Sequence, residues 1–302
     1  MTLLRYRAHA KINLGLDVRA QRPDGYHELR TVLQSISLCD TLDIFPAASG
    51  FTFTCSDPSL PTGPDNLVVK AASALREATG CAKGARGHLT KRTPSQAGLG
   101  GGSSDAAVTL VALARLWRLP SDASSLLPIA TRLGSDVPYF LVGGTALGVG
   151  RGEEIYPLPD GPRYHLLIVK PASGMPTAEA YRRLDARLTG AEPGNRIFNI
   201  VQGVADGRLD DGLLFNDFEE VAGERRGEGA LLPKALADAG ASRVLLAGSG
   251  SSWVGFFQSR ARAQEAYRRM AHRGTSVVLT ETLSRKDYWE RTLPRVDKET
   301  LP

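Results

Sequence analysis

Cysteine is scarce in this sequence, and long apolar runs are missing. The 302 residues include three cysteines, Cys39, Cys55 and Cys81, an odd number with no paired short spacing. This usage argues against a disulfide framework and against a cysteine zinc site. No stretch reaches the roughly 18 apolar residues that a membrane helix needs, and residues 1–11 lack the apolar core of a signal peptide. We therefore expect a cytoplasmic protein that makes no membrane contact.

A large excess of one charge is also missing. Lysine and arginine number 37 against 32 aspartates and glutamates, giving a net charge of +5, and 42% of the residues are hydrophobic. Such values are typical of a globular protein, and the length fits two domains. Basic pairs such as Arg182 and Arg183 are dispersed, without the interleaved aromatics of a single-strand binding groove. We expect small-molecule partners and no nucleic acid.

The order of predicted elements indicates an α+β protein. Residue patterns predict strands at 3–18, 31–38, 41–45, 51–54 and 87–91, with helices at 67–78, from 103 or 104, and at 122–133. The second half predicts a strand at 166–170, helices from 177, at 216–222 and at 233–239, strands at 243–247 and 253–257, a helix at 260–272 and a strand at 276–279. Strand, helix, strand, strand, helix, strand is a ferredoxin-like order. We predict domains at 1–161 and 162–290 and a tail at 291–302.

The strongest motif is a glycine-rich segment that runs from a predicted strand into a predicted helix. Four glycines in five positions let backbone N–H groups approach an anion, and the helix start adds unpaired donors. The segment lacks the lysine of a P-loop and the third glycine of a dinucleotide fingerprint, and protein-kinase motifs are absent. The alternative is a flexible turn with a serine N-cap. The residues predicted to bind phosphate are Pro94, Ser95, Gln96, Ala97, Gly98, Leu99, Gly100, Gly101, Gly102, Ser103 and Ser104.

Two further clusters lie near the N-terminus. Lys11 and Asn13 share one face of a predicted strand, where they line a site or form a solvated edge. Asp24-Gly25-Tyr26-His27-Glu28 combines a turn, an aromatic ring and an imidazole, which suits stacking on a base and hydrogen bonding to its edge. A structural role for Tyr26 is the alternative.

Two clusters in the rest of the chain complete the pattern. Asp136 follows a helix stop and precedes Pro138, so it is a candidate site residue or an N-cap. The segment 247–252, Ala-Gly-Ser-Gly-Ser-Ser, is either a plain hairpin turn or a second glycine-rich wall that faces the first.

These clusters, in their order along the chain, resemble the GHMP kinase superfamily, which includes galactokinase, homoserine kinase and mevalonate kinase. The resemblance runs from about residue 8 to residue 257, and its specific parts are 10–14, 22–27 and 134–138. Residues 95–97 and 251–253 depart from the usual smaller side chains. The resemblance implies a ribosomal-protein-S5-domain-2-like N-terminal domain and a ferredoxin-like C-terminal domain, with the active site in the cleft between them.

More narrowly, the sequence is similar to those members that phosphorylate the 2-hydroxyl of 4-diphosphocytidyl-2-C-methyl-D-erythritol in isoprenoid precursor synthesis. The resemblance implies ATP with Mg²⁺ as phosphate donor, Asp136 as base and Lys11 as its cationic neighbour, without assigning metal ligands. It implies that Tyr26 and Tyr181 enclose the cytosine while His27 bonds its edge, and that Asn66 lies near the adenine. The implied substrate-binding residues are Asn13, Tyr26, His27, Thr177, Tyr181, Gly248, Ser249 and Gly250.

Two alternative functions stay open at this point. One is a GHMP kinase for another small alcohol, and the other is a nucleotide sensor that kept the fold but lost the chemistry. We expect a monomer or a homodimer.

Overall fold

The computed structural model describes residues 3–172, 176–185, 195–222, 228–271 and 276–294. Its strands are β1 (Leu4–Gln21), β2 (His27–Ala47), β3 (Phe51–Cys55), β4 (Gly84–Thr90), β5 (Thr145–Val149), β6 (Glu154–Pro157), β7 (His165–Lys170), β8 (Phe215–Asn216), β9 (Arg243–Leu246), β10 (Trp253–Phe257) and β11 (Ser276–Glu281). Its helices are α1 (Leu67–Thr79), α2 (Gly101–Trp117), α3 (Ala123–Leu133), α4 (Val137–Phe140), α5 (Thr177–Asp185), α6 (Arg196–Ala205), α7 (Glu219–Ala222), α8 (Glu228–Asp238), α9 (Arg260–Met270) and α10 (Arg285–Thr292). In these ranges no helix combines the length and apolarity needed to cross a membrane.

The first sheet is built around the long antiparallel pair β1 and β2. In the described part of the chain it has seven strands, in the order β3-β4-β2-β1-β8, with β5 beside the first part of β2 and β6 beyond it. The sequence predicts two strands, at 31–38 and 41–45, where the structure has β2 alone. The strand continues because Asp40 pairs with Ala8 in the ladder and its carboxylate accepts bonds from the N–H groups of Arg92 and Thr93.

Helices α1, α2 and α3 cover one face of this sheet and form the larger core with it. In α2 every residue from Ser104 to Ala114 is buried. Its many alanines let α1, α4 and the sheet approach from several sides at once. The helix that follows the glycine-rich segment is therefore held rigidly.

The second sheet has the order β11-β7-β10-β9, with every neighbouring pair antiparallel. This is the ferredoxin-like arrangement that the sequence predicts, in an α+β chain. The apolar run in β7 is continuous because both faces of the strand are covered. Leu166 and Ile168 belong to the core between the two sheets, whereas Leu167 and Val169 face α5, α8 and α9.

Some predicted boundaries differ from the structure. Helix α2 begins at Gly101, not at Ser103 or Ser104, because Gly100 takes a left-handed φ of 68° and its carbonyl accepts the first helical bond, from the N–H of Ser104. Asn216, predicted to be helical, lies in β8, and helix α7 begins only at Glu219. Strands β5 and β6 and helix α6 have no counterpart among the predicted elements.

Helix α10 returns to the first sheet from the end of the second. Tyr288 is fully buried there and its hydroxyl donates to the carbonyl of Phe140 at 2.7 Å. Arg285 donates to the carbonyls of Gly143, Thr145 and Leu158. The last described helix therefore closes the core of the N-terminal half.

Candidate active site

The glycine-rich loop, residues 94–104, joins β4 to the first turn of α2. Gly98 and Gly100 adopt φ values of 77° and 68°, which glycine tolerates without a steric cost. Ala97 precedes Gly98, and Leu99 lies between the two glycines; both side chains are buried in the core that joins the two sheets. The loop is thus anchored by alternate side chains, while Gly98 and Gly100 line cavities.

The turn at 247–250 packs directly against this loop. A Cβ added to Gly98 would lie 1.8 Å from the carbonyl oxygen of Ala247, and one added to Gly248 would lie 3.1 Å from the carbonyl oxygen of Gly98. The backbone N–H of Lys11 in β1 donates to the carbonyl of Leu99 at 3.0 Å. The two glycine motifs are therefore in contact, and only glycine permits this approach.

Two cavities lie on either side of the loop and share it as a wall. The larger has a volume of about 730 Å³ and the smaller about 380 Å³. Gly98, Gly100 and Ser103 line both. The predicted phosphate-binding residues from 94 to 103 all line the smaller cavity, together with Asn66.

Lys11, Asn13 and Asp136 meet in the larger cavity. The ammonium of Lys11, whose side chain is 5% exposed, lies 3.8 Å from a carboxylate oxygen of Asp136, which is 41% exposed. Lys11 also donates to the Asn13 side chain at 3.0 Å, and the amide of Asn13 donates to the hydroxyl of Thr31 at 2.7 Å. Asp136 precedes α4 but makes no capping bond with its side chain. Its carboxylate is therefore directed to the cavity and not to the helix.

A cluster of aromatic side chains lines another part of the larger cavity. The ring of His27 stacks on Tyr181, with centroids 5.0 Å apart, and Tyr181 in turn packs edge-on against Phe218. Tyr26 is 55% exposed and carries the guanidinium of Arg151 above its ring, 4.9 Å from the centroid. Burial, with a smaller contribution from the charge of Asp136, raises the pKa of Tyr181 to about 12. The tyrosine ring is therefore neutral at physiological pH.

The remaining predicted substrate residues divide into two groups. Thr177, Gly248 and Ser249 line the larger cavity, and the hydroxyls of Thr177 and Ser249 are 3.0 Å apart. Gly250 instead lines a small neighbouring recess.

Asn66 and Ser104, both predicted to lie in the nucleotide site, have different surroundings in the structure. Asn66 caps α1 by accepting from the N–H of Val68 at 2.9 Å, and it borders the smaller cavity. Ser104 is fully buried, and its hydroxyl donates to the carbonyl of His9 at 2.7 Å. Ser103 is the serine of this pair that reaches both cavities.

A protein-built metal site is not evident in the part of the chain that the structure describes. Those residues hold no group of three or more His, Cys, Asp or Glu side chains placed to bind a metal ion. The Ser103 hydroxyl and the carboxylate of Asp136 are two of the separate oxygen-bearing side chains that line the larger cavity. Separate oxygens of this kind suit a Mg²⁺ ion that keeps most of its other ligands from water or from a bound substrate.

A buried ionic cluster beside the smaller cavity was not predicted from the sequence. Lys91 contacts the carboxylates of Asp40 and Asp105 at 2.5 and 2.8 Å, and all three side chains are less than 10% exposed. The two carboxylates raise the pKa of Lys91 against the opposing effect of burial. Burial raises the pKa of Asp105 to about 8, since only one cation serves two acids. The sequence signal was an aspartate at a buried position of an otherwise apolar helix.

The fold and the shared loop are those of the GHMP kinases, enzymes that phosphorylate small molecules. Residues 66–144 match the family model for the GHMP kinases N terminal domain. A crystal structure of 4-(cytidine 5'-diphospho)-2C-methyl-D-erythritol kinase superposes with a TM-score of 0.79 and 35% identity, over 92% of this chain and 98% of that one.

Curated relatives of this chain belong to one narrower family within the GHMP kinases. A 4-diphosphocytidyl-2-C-methyl-D-erythritol kinase of Solibacter usitatus is 43% identical, over 95% of this chain and 92% of its own. One of Pelotomaculum thermopropionicum is 41% identical, over 92% of this chain and 97% of its own. The chain belongs to this family of kinases.

Replacing Gly98 with alanine should destabilise the protein, whereas the same change at Gly102 should not. At Gly98 the new methyl group meets a backbone oxygen, and we expect a loss of at least about 2 kcal/mol in the free energy of unfolding. At Gly102 the nearest atom is Leu67 Cδ1 at 3.6 Å, and alanine favours a helix by up to about 1 kcal/mol. Urea unfolding of both variants measures the difference, and equal stabilities would contradict the close contact of the two turns.

Asp105→Asn should change how stability depends on pH. The acid has a pKa of 3.8 when unfolded and about 8 when folded, so the folded protein holds an extra proton between these values and loses stability as the pH rises through them. Asparagine cannot titrate. The free energy of unfolding of the variant relative to wild type should therefore increase by on the order of 2 kcal/mol from pH 6 to pH 9. Asp238→Asn, at an exposed site on α8, is the control, and a constant difference across this range would refute the raised pKa.

Proposed function

We propose that this chain transfers the γ-phosphoryl group of ATP to the 2-hydroxyl of 4-diphosphocytidyl-2-C-methyl-D-erythritol, giving the 2-phosphate and ADP for isoprenoid precursor synthesis. The observation that carries the proposal is the glycine loop shared by two cavities, with Lys11 and Asp136 in the larger one. A donor in one cavity and an acceptor in the other would meet at this loop. The curated relatives carry the same substrate in their names.

ATP is assigned to the smaller cavity. Adenine lies near Asn66, and the loop receives the phosphates through the backbone N–H groups of residues 95–103 at the start of α2. Bound Mg²⁺ would neutralise phosphate charge, and the hydroxyl of Ser103, which lines both cavities, would help to hold it. The buried hydroxyl of Ser104 then serves the fold by holding α2 to β1.

Asp136 is the proton acceptor in this proposal. As the 2-hydroxyl oxygen forms its bond to phosphorus and the bond to the ADP oxygen breaks, the hydroxyl proton passes to the Asp136 carboxylate. Lys11, 3.8 Å away, stabilises the negative charge of Asp136 and of the transferring group. Asn13 and Thr31 fix the Lys11 ammonium by the bonds described above.

The acceptor substrate fills the larger cavity. Tyr26, His27 and Tyr181 supply aromatic and hydrogen-bonding surface for cytosine, while Thr177, Gly248 and Ser249 face the rest of the molecule. The cationic side chain of Arg151 also borders this cavity and suits the diphosphate of this substrate.

The proposal extends to the organisation of the whole protein. We assign the N-terminal domain to residues 1–161 and the C-terminal domain to 162–290. Of the predicted tail at 291–302, the first two residues belong to α10, and residues 295–302 lie outside the described part of the chain. A cytoplasmic location, a monomeric or homodimeric state and the lack of nucleic-acid binding stay predictions.

Asp136→Asn and Lys11→Ala should abolish most turnover. We expect kcat to fall by about 100- to 10,000-fold in each, since both groups act on charge that moves during the transfer. The KM for ATP should change little in Asp136→Asn, because ATP occupies the other cavity. Asp238→Asn serves as the control far from the cleft, and turnover within threefold of wild type in either site variant would exclude these roles.

Acceptor choice tests the function as a whole. ADP release should be rapid with ATP, Mg²⁺ and 4-diphosphocytidyl-2-C-methyl-D-erythritol. It should be at least 100-fold slower in kcat/KM with 2-C-methyl-D-erythritol 4-phosphate, which lacks the base and so forfeits several contacts worth about 1 to 3 kcal/mol each. Mevalonate and homoserine should give no release. Equal rates with and without the base would contradict the proposed cytidyl pocket. Turnover of mevalonate or homoserine would contradict the proposed substrate.

A further inference from the structure

Asp185 is an acidic side chain in the aromatic part of the larger cavity that the mechanism above does not use. It is the last residue of α5, borders the cavity and is 42% exposed. One of its carboxylate oxygens lies 2.5 Å from Nε2 of His27, whose side chain is 6% exposed. The nearby cations Arg182 and Arg183 are directed to Glu179. The carboxylate therefore faces the site together with the imidazole.

The contact with Asp185 fixes the hydrogen-bonding pattern of His27. A carboxylate only accepts, so Nε2 of the ring carries the proton in this bond. The stack on Tyr181 fixes the plane of the same ring. One oxygen of Asp185 serves His27, and a carboxylate has about four acceptor positions in all. Asp185 and His27 together therefore present further hydrogen-bond acceptors to a flat ligand in this part of the cavity.

Acceptors at this position distinguish the two common pyrimidines. Cytosine offers an amino group beside its ring nitrogen, whereas uracil offers a carbonyl oxygen there. A carboxylate pairs with the amino group and repels the carbonyl oxygen. A site that leaves an acceptor facing an acceptor discriminates strongly, because neither group recovers its lost bond to water.

We propose that Asp185 is a specificity-determining residue that accepts a hydrogen bond from the exocyclic amino group of the cytosine and thereby excludes uridyl acceptors. The inference rests on the proposed function and deepens it by naming the residue that reads the base. Asp185 lies on the last turn of α5 with its side chain 42% exposed, so it is not part of the core.

The test compares cytidyl and uridyl forms of the same acceptor. For wild type we expect kcat/KM to favour 4-diphosphocytidyl-2-C-methyl-D-erythritol over its uridyl analogue by at least 100-fold. In Asp185→Asn this ratio should fall at least tenfold, through a higher KM for the cytidyl form and a lower KM for the uridyl form, because an amide can also donate. The KM for ATP should not change. Asp185→Glu keeps an acceptor and should retain most of the preference.

Asp238→Asn is the matched control, since Asp238 is an exposed carboxylate on α8 that pairs with Lys234. It should leave the ratio as in wild type. A purely structural role for Asp185 would slow both acceptors equally and leave the ratio unchanged, which would overturn the inference, as would a wild type that uses both acceptors equally well. Failure of wild type to phosphorylate the cytidyl acceptor at all would instead refute the proposed function. If Asp185→Asn does not fold, calorimetry on wild type decides, with cytidine diphosphate expected to bind at least tenfold more tightly than uridine diphosphate.

Discussion

The close backbone contact between the glycine loop and the turn at 247–250 is the constraint on which the site depends. Each turn belongs to a different sheet, and a single added methyl group at Gly98 would separate them. The same loop is hydrogen-bonded to β1 at Lys11, so the lysine that we propose acts in the transfer and the backbone that we propose binds phosphate share one rigid support. The two cavities exist as neighbours because this contact closes the space between the sheets.

Charge is distributed around that contact according to burial. Lys11 is almost fully enclosed, and its positive charge is stabilised there by its contacts with Asn13 and Asp136. The Lys91 cluster is enclosed more completely, and there two acids share one cation. The more exposed carboxylate, Asp136, is the one that we propose exchanges a proton with the substrate. The Lys91 cluster thus fixes geometry, whereas Lys11 and Asp136 meet at the cavity where the proposed chemistry takes place.

The sequence predicts the fold class and the main site elements because both depend on local patterns. Apolar alternation indicates the strands, glycine spacing indicates the loop, and the resemblance brings Lys11 and Asp136 together. The contacts of Ser104 and Asp185 could not be predicted in this way. Ser104 differs from Ser103 only in which side of α2 it occupies, and this depended on a helix start two residues earlier than expected. Asp185 meets His27 across 158 residues of chain, which no local pattern records.

Helix α10 has a consequence for the order in which the molecule acquires its structure. The pocket for Tyr288 is formed by residues near 140, so the first half of the chain cannot complete its interior until residues around 288 have been synthesised. A nascent chain would hold that half with an open, apolar groove throughout the synthesis of the second. Contacts of such long sequence separation also slow folding, because the closing entropy is lost before the contact forms. The interior of the first half therefore depends on the synthesis of the last described helix, and a chain that ended before residue 285 would leave this interior open.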